Sequence, residues 1–129
     1  MIVLDSSVVI DAFLDQACAE KLRKLFLTDI FVAPDHIGLE VLYTLRRFKS
    51  EEKITARFAS QCLNVFDAMP LKRFSSTNMT RDIWDLRHNI TAYDAPFVVL
   101  AKQLDAPLLT HDGKLARAVA QHIKLMSLL

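Results

Sequence analysis

Short apolar runs alternate with amphipathic stretches from one end of the chain to the other. Ile2 to Leu4, Ile30 to Ala33, Leu71 to Phe74, Leu108 to Thr110 and Ile123 to Met126 are brief blocks dominated by aliphatic and aromatic residues. Several are nearly continuous in hydrophobicity, the pattern of strands covered on both faces. Between them the apolar positions recur at intervals of three and four. Ala17 to Leu27 places Leu22, Leu25 and Phe26 on one side, Ile37 to Phe48 keeps the same spacing, and Ile54 to Ala68 carries Phe58, Cys62, Val65 and Phe66. The pattern predicts further helices from Thr77 to His88, from Tyr93 to Leu104 and from Lys114 to Gln121, with another beginning near Val8. Strands separated by helices predict an α/β fold in which a parallel sheet is covered by helices on both faces.

Composition narrows the function classes. At 129 residues with 52% hydrophobic content, the chain is read as one domain over residues 1–129 with ample core material of its own. Its formal charge of +1 is too small for bulk electrostatic capture of nucleic acid, so any phosphate partner must be met by local patches. Gly38 and Gly113 are the only glycines, which excludes a glycine-rich phosphate loop. Cys18 and Cys62 sit in helical stretches without metal-ligand spacing and read as small buried hydrophobes, which suits a reducing cytoplasm. The apolar start Met1 to Leu4 is too short for a secretion signal, and no run approaches a membrane span.

Four acidic residues stand where an apolar or neutral residue would serve the fold better. Asp5 closes the first apolar run, Glu40 interrupts Ile37, Leu39, Val41 and Leu42, Asp94 opens the helical stretch from Ala95, and Asp112 follows Leu108 to Thr110. If they converge, they form an oxygen-rich, strongly negative pocket that is stable at neutral pH only with a cation in it. That points to metal-dependent chemistry on phosphates. In an open parallel sheet, ligands bind beyond the carboxyl ends of the strands, which is where Asp5 and Asp112 fall.

Three of the acids, Asp5, Glu40 and Asp94, also have a purely structural account. Asp5 can cap the helix near Val8, although Ser6 and Ser7 offer the same service. Glu40 lies about 60° from the stripe of Ile37, Val41, Thr44 and Phe48, at the rim of the buried face, and can equally pair with Arg46 or Arg47 on the surface. Thr91 to Asp94 fits a capping box, with Pro96 in the following first turn. The four histidines, His36, His88, His111 and His122, lack zinc spacing, and a hard oxygen site prefers magnesium or manganese.

Taken in order, Met1 to Ile10 with Asp5 and Ser7, Leu39 to Leu42 with Glu40 followed by Arg46 and Arg47, Thr91 to Ala95 with Asp94, and Ala106 to Asp112 with Leu115 and Ala116 closely resemble PIN-domain ribonucleases, especially the VapC-type toxins of toxin–antitoxin pairs. The resemblance covers the whole chain. It implies a three-layer α/β/α fold with five parallel strands in the order 3-2-1-4-5, and magnesium- or manganese-dependent endonucleolytic RNA cleavage leaving a 5′-phosphate and a 3′-hydroxyl. By position, Asp5, Glu40, Asp94 and Asp112 match the family's acidic quartet, and Ser7 and Thr110 match the small hydroxyl residues beside the metal. It also implies a cognate antitoxin as partner and a homodimer, for which Ile83, Trp84 and Leu86 are the candidate contact. Pro96 and Asp105 depart from the family pattern, the first with a possible tilt of Asp94, the second where a helix-ending glycine is common.

The basic run Arg46, Arg47, Lys49, Lys53 and Arg57 is a candidate for positioning RNA phosphates, or equally a solvated helix face and turn. Two alternatives stay open within the family: a nuclease of ordinary RNA processing, and a non-catalytic RNA- or protein-binding module, which retention of all four acids disfavours. A phosphoaspartate enzyme would want a second aspartate where Ser7 stands.

Overall fold

The computed structural model describes residues Met1–Leu129. Five parallel strands, β1 (Ile2–Leu4), β2 (Phe31–Pro34), β3 (Leu71–Phe74), β4 (Leu108–Leu109) and β5 (Leu125–Met126), form one sheet in the order β3-β2-β1-β4-β5. Val3 of the central strand is paired with Val32 on one side and Leu108 on the other. All three residues of β1 are buried, as a strand covered above and below requires. Helices α1 (Ser6–Leu14), α2 (Gln16–Thr28), α3 (Ile37–Ser50), α4 (Ala56–Ala68), α5 (Thr80–Asp85), α6 (Ala95–Leu104) and α7 (Gly113–Val119) fill the crossovers. A cluster of 28 buried residues joins both faces of the sheet into one core.

The strand order decides where a site can lie. From β1 the chain winds outward through β2 to β3, then returns to the other side of β1 for β4 and β5. The winding reverses between β1 and β4, so the connections beyond their carboxyl ends part and leave a crevice. Asp5 directly follows β1, and Thr110 to Asp112 directly follow β4.

Several local expectations are revised. The stretch Thr77–His88 is not one helix but a 3-10 turn, Thr77–Met79, then the short α5, then turns. Thr80 Oγ1 donates to the Thr77 carbonyl, and the amides of Leu86 and Arg87 close tight bonds to the carbonyls of Ile83 and Trp84, so local hydroxyl and turn bonds displace the regular ladder. Of the three residues proposed for a dimer contact, Ile83 and Leu86 turn inward onto the core and only Trp84 is exposed. The first helix starts at Ser6, so Ser6 and Ser7 lie in its first turn rather than capping it. Pro96 sits in the first turn of α6, where no donor is required, and Asp94 keeps right-handed helical angles (φ −83°, ψ −31°). Asp105 takes the left-handed conformation that ends α6, at φ 47°, a position that aspartate tolerates better than most residues.

Candidate functional site

Asp5 is the most deeply placed of the acids, only 4% exposed. Its backbone amide completes the sheet by donating to the Leu109 carbonyl, and its backbone is extended at the mouth of α1 without capping that helix. Ser7 Oγ donates to Asp5 Oδ2 at 2.6 Å and Thr110 Oγ1 donates to the same oxygen at 2.8 Å. Each hydroxyl has one hydrogen, so both are spent on Asp5, and each oxygen is left to accept. Ser7 Oγ accepts from the His111 amide and Thr110 Oγ1 from the Asp112 amide. The two hydroxyls therefore tie the carboxylate to the β4–α7 connection through Oδ2 alone, and Oδ1 makes no hydrogen bond within the protein.

Around this centre Glu40 and Asp94 come within Coulombic range of Asp5, and Asp112 within that of Asp94. Glu40, in the first turn of α3, accepts from Ser6 Oγ at 3.2 Å. Burial, and next the charge of Asp5 with a smaller part from Asp94, pushes its carboxyl up to about 7 against the lowering effect of the Ser6 bond. Asp94 is raised too, first by burial and then by Asp5, with Asp112 adding to the rise and the Thr91 hydroxyl and His36 opposing it. The surface reading of Glu40 as a partner of Arg46 or Arg47 does not hold, because no ion pair joins them and its carboxylate faces Ser6 instead.

The capping box at Thr91–Asp94 forms through its threonine hydroxyl, and a second cap comes from Asp112. Thr91 Oγ1 accepts from the Asp94 amide, while the Asp94 carboxylate caps nothing. Asp112 is the working cap: its Oδ1 accepts from the amides of Lys114 and Leu115 at the start of α7. One oxygen of Asp112 is thus structural, and the other is free to face the crevice.

The donor set suits a hard divalent cation. All four side chains offer oxygen, and the carboxyls of Glu40 and Asp94 are raised by burial and by the neighbouring acids, Asp5 first, the electrostatic condition a cation relieves. No three acidic, histidine or cysteine side chains close into a ready ligand cluster. A hard cation that retains waters would need only one or two of these carboxylates directly. His36 and His111 are engaged elsewhere, His36 Nε2 with the Tyr93 carbonyl and His111 Nδ1 with Asp11 Oδ2.

The structure places Arg46, Arg47 and Lys49 away from the acids. They occupy the C-terminal half of α3, and Arg46 and Lys49 line a cavity of about 420 Å³ against α4 with Leu42, Leu45 and Leu63. At 1.5 Å per residue, Lys49 lies roughly 13 Å along the helix axis from Glu40. The cations that share a cavity with Asp94 and Asp112 are instead Arg87 and Lys114, with His88 beside them. Sequence reasoning missed them, although Lys114 stands two positions after Asp112 and Arg87–His88 are separated from the Thr91–Asp94 turn by only Asn89 and Ile90.

The profile of the PIN domain family matches residues 2–120, and the chain belongs to that family. Ribonuclease VapC1 of Mycobacterium tuberculosis is 38% identical over 118 residues, covering 90% of this chain and 89% of that protein. Among solved structures, VapBC2 from Rickettsia felis bound to a DNA fragment from their promoter superposes with a TM-score of 0.71 at 19% identity, covering 98% of each chain. Mycobacterium tuberculosis VapC20, described as a sarcin-ricin loop cleaving toxin, matches with a TM-score of 0.63 at 16% identity over 92% of this chain and 95% of its own. At these identities the two structures speak for the fold: the α/β sheet in the order 3-2-1-4-5 is that of VapC-type PIN domains.

Proposed function

We propose that the protein is a magnesium- or manganese-dependent endoribonuclease, the toxin of a toxin–antitoxin pair, cleaving RNA at the crevice between β1 and β4. The observation that carries this reading is the state of Asp5: buried, fixed through Oδ2 by Ser7 and Thr110, with Oδ1 left for a ligand and three further carboxylates around it. The name of the VapC1 relative supports ribonuclease activity, and the VapBC2 structure supports a VapB-type antitoxin as partner.

When bound, a divalent cation supplies charge neutralisation at the scissile phosphate and acidification of a water for in-line attack. The residues of the chain do the rest. Asp5 and Asp94 are the direct ligands in this reading, with Asp112 and Glu40 ligating directly or through water. Glu40 has Oε1 engaged by Ser6, which leaves Oε2 to reach the cation or a water held by it. Arg87 and Lys114 hold backbone phosphates on the Asp94–Asp112 side. The chain is further proposed to act as a homodimer, with exposed Trp84 as one candidate contact.

Purified protein tests the core of this reading. It should cleave single-stranded or looped RNA with magnesium or manganese, stop in excess EDTA, and lose activity in Asp5→Asn with its circular dichroism unchanged. Cleavage that persists in EDTA rules the mechanism out. A nuclease of ordinary RNA processing would share the chemistry, and encoding of a small DNA-binding protein beside this one separates the two roles.

A further inference from the structure

The crevice has two unlike sides. Toward Asp94 and Asp112 it is cationic, lined by Arg87, His88 and Lys114. Toward Glu40 it opens into a second cavity of about 560 Å³, between the N-terminal half of α3 and the turn before α6, that contains no lysine or arginine at all. Its polar floor is Glu40, Ser6 and Thr44, and its walls are His36, Tyr43 and Tyr93, with Leu39 at the edge.

The distribution of tyrosine singles this cavity out. The chain has two tyrosines, and both line it. Tyr43 is 68% exposed and Tyr93 71%, so neither serves the core. The wall is also held in place before anything binds. His36 Nε2 lies 2.7 Å from the Tyr93 carbonyl, which can only accept, so this nitrogen carries the hydrogen and pins the turn that presents Tyr93. The imidazole is held in turn edge-on against buried Phe97, with ring centroids 5.3 Å apart.

We propose that this cavity is a base-binding subsite, in which one nucleobase of the RNA substrate next to the cleaved bond stacks on Tyr43 and Tyr93 while its polar edge meets the floor. The inference rests on the nuclease reading and adds the substrate group that the Glu40 side takes. A phosphate is the wrong ligand for a pocket with an acid in its floor and no lysine or arginine in its walls. A neutral, planar base with a hydrogen-bonding edge fits both its walls and its floor, and proteins that handle single-stranded RNA seat splayed bases on exposed aromatic faces in this way. The size is that of a small-molecule pocket, open enough for a base with its sugar. Glu40 belongs to both the cavity and the acid cluster, so a base held here leaves its own phosphate beside Asp5. The strand then runs from an aromatic seat on one side to a cationic seat on the other.

The test uses wild type with a manganese-supplemented single-stranded RNA whose cleaved bond has first been mapped, and the variants Tyr43→Leu and Tyr93→Leu. Each variant should raise KM by roughly ten- to a hundred-fold with a much smaller change in kcat, the range expected for loss of one base stack. Tyr43→Phe should recover most of that loss. An abasic ribose at one position flanking the cleaved bond should raise the wild-type KM similarly and add nothing further in Tyr43→Leu, because the two changes remove the same contact. Cleavage by wild type that both leucine variants leave unchanged overturns the subsite and spares the nuclease reading. So does additivity of Tyr43→Leu with every flanking abasic position. Variants that cleave normally but lose a co-expressed VapB-type partner assign the cavity to protein contact instead, and wild type that cleaves no RNA removes the parent reading and the subsite together.

Discussion

Thr110 Oγ1 donates to Oδ2 of Asp5 across 2.8 Å, joining two residues 105 positions apart in the chain. The same hydroxyl accepts from the Asp112 amide, so it sets the geometry of two acids at once. Thr110→Val keeps the shape and removes both functions. It should destabilise the protein by about 1–3 kcal/mol, the range for leaving buried polar groups without a partner. It should also weaken magnesium or manganese binding by roughly ten- to a hundred-fold, as loss of a group that orients a ligand does. Urea unfolding and isothermal titration check this, and metal affinity equal to wild type would show that the hydroxyl does not orient Asp5 for a cation.

Asp112 and Asp94 differ in what their loss costs the fold. Asp112 Oδ1 caps α7, whereas Asp94 caps nothing and is repelled by its neighbours. In EDTA, Asp112→Ala should therefore lose about 0.5–2 kcal/mol, and Asp112→Asn, an equally good cap, should lose little. Asp94→Asn should melt at or above the wild-type temperature because it removes repulsion without removing a cap. Thermal melts of the three variants decide it, and a destabilised Asp94→Asn in EDTA contradicts the picture of a strained acid cluster. With magnesium present the order should shift, since wild type gains more from the ligand than any of them.

The proton held by Glu40 makes stability depend on pH with a definite sign. Its folded carboxyl titrates at about 7 against 4.5 for the ordinary group, and Asp94 is displaced in the same direction. Between those values the folded state keeps a proton that the unfolded chain releases. Stability from this source is complete below about 4.5, declines as pH rises, and is fully lost above about 7. Glu40→Gln keeps an acceptor for Ser6 Oγ and removes the titration. In EDTA the variant should gain on wild type from pH 5 to about pH 7 and level off above it, and a difference in melting temperature that stays constant from pH 5 to pH 7 would exclude Glu40 as its source.

Arg87 and Lys114, not Arg46 and Lys49, should carry the salt dependence of RNA binding at the site, because only the first pair shares a cavity with Asp94 and Asp112. Each single-strand phosphate contact contributes about 0.7 to the slope of log affinity against log salt. Lys114→Ala in an Asp5→Asn background should reduce that slope by about this amount, while Arg46→Ala leaves it in place. Fluorescence anisotropy across a salt series measures both. Arg87 starts from a competing arrangement, stacked 4.4 Å over Trp84 and donating to its carbonyl, so it must be drawn off the indole to reach RNA.

The alternation of buried strand runs with three-and-four spaced helices was enough to define the sheet and its parallel sense, because hydrophobic periodicity is a local property and burial on both faces leaves it intact. Resemblance then supplied the strand order. Asp5 and Asp112 were legible as site residues for the same local reason: each follows an apolar run directly, where a parallel sheet opens to ligands. Where the sequence failed, two local forces competed. The Thr77–His88 stretch has helical spacing, yet its threonines and tight turns break it into a 3-10 turn and a short helix. The capping box before Ala95 is made through Thr91, which accepts from the Asp94 amide, but the cap that Asp112 places on α7 went unread.

What only the tertiary structure decided is which charges face one another. Helical spacing left Glu40 between a surface ion pair and a buried acid, and the choice is made by Ser6 and Asp5, 34 and 35 positions earlier, brought to it by the packing of α1 on α3. The basic run of α3 is dense in charge along the sequence, but a helix rises 1.5 Å per residue and sets Lys49 roughly 13 Å along the axis from Glu40. Arg87 and Lys114 are isolated in sequence and meet at the site only because the turns after α5 and the start of α7 flank the same strand ends. Residue chemistry and local period are written in the chain itself. Convergence of charges from distant segments is a property of the closed fold, because Coulomb and hydrogen-bond energies depend on distances that spacing along the chain does not contain.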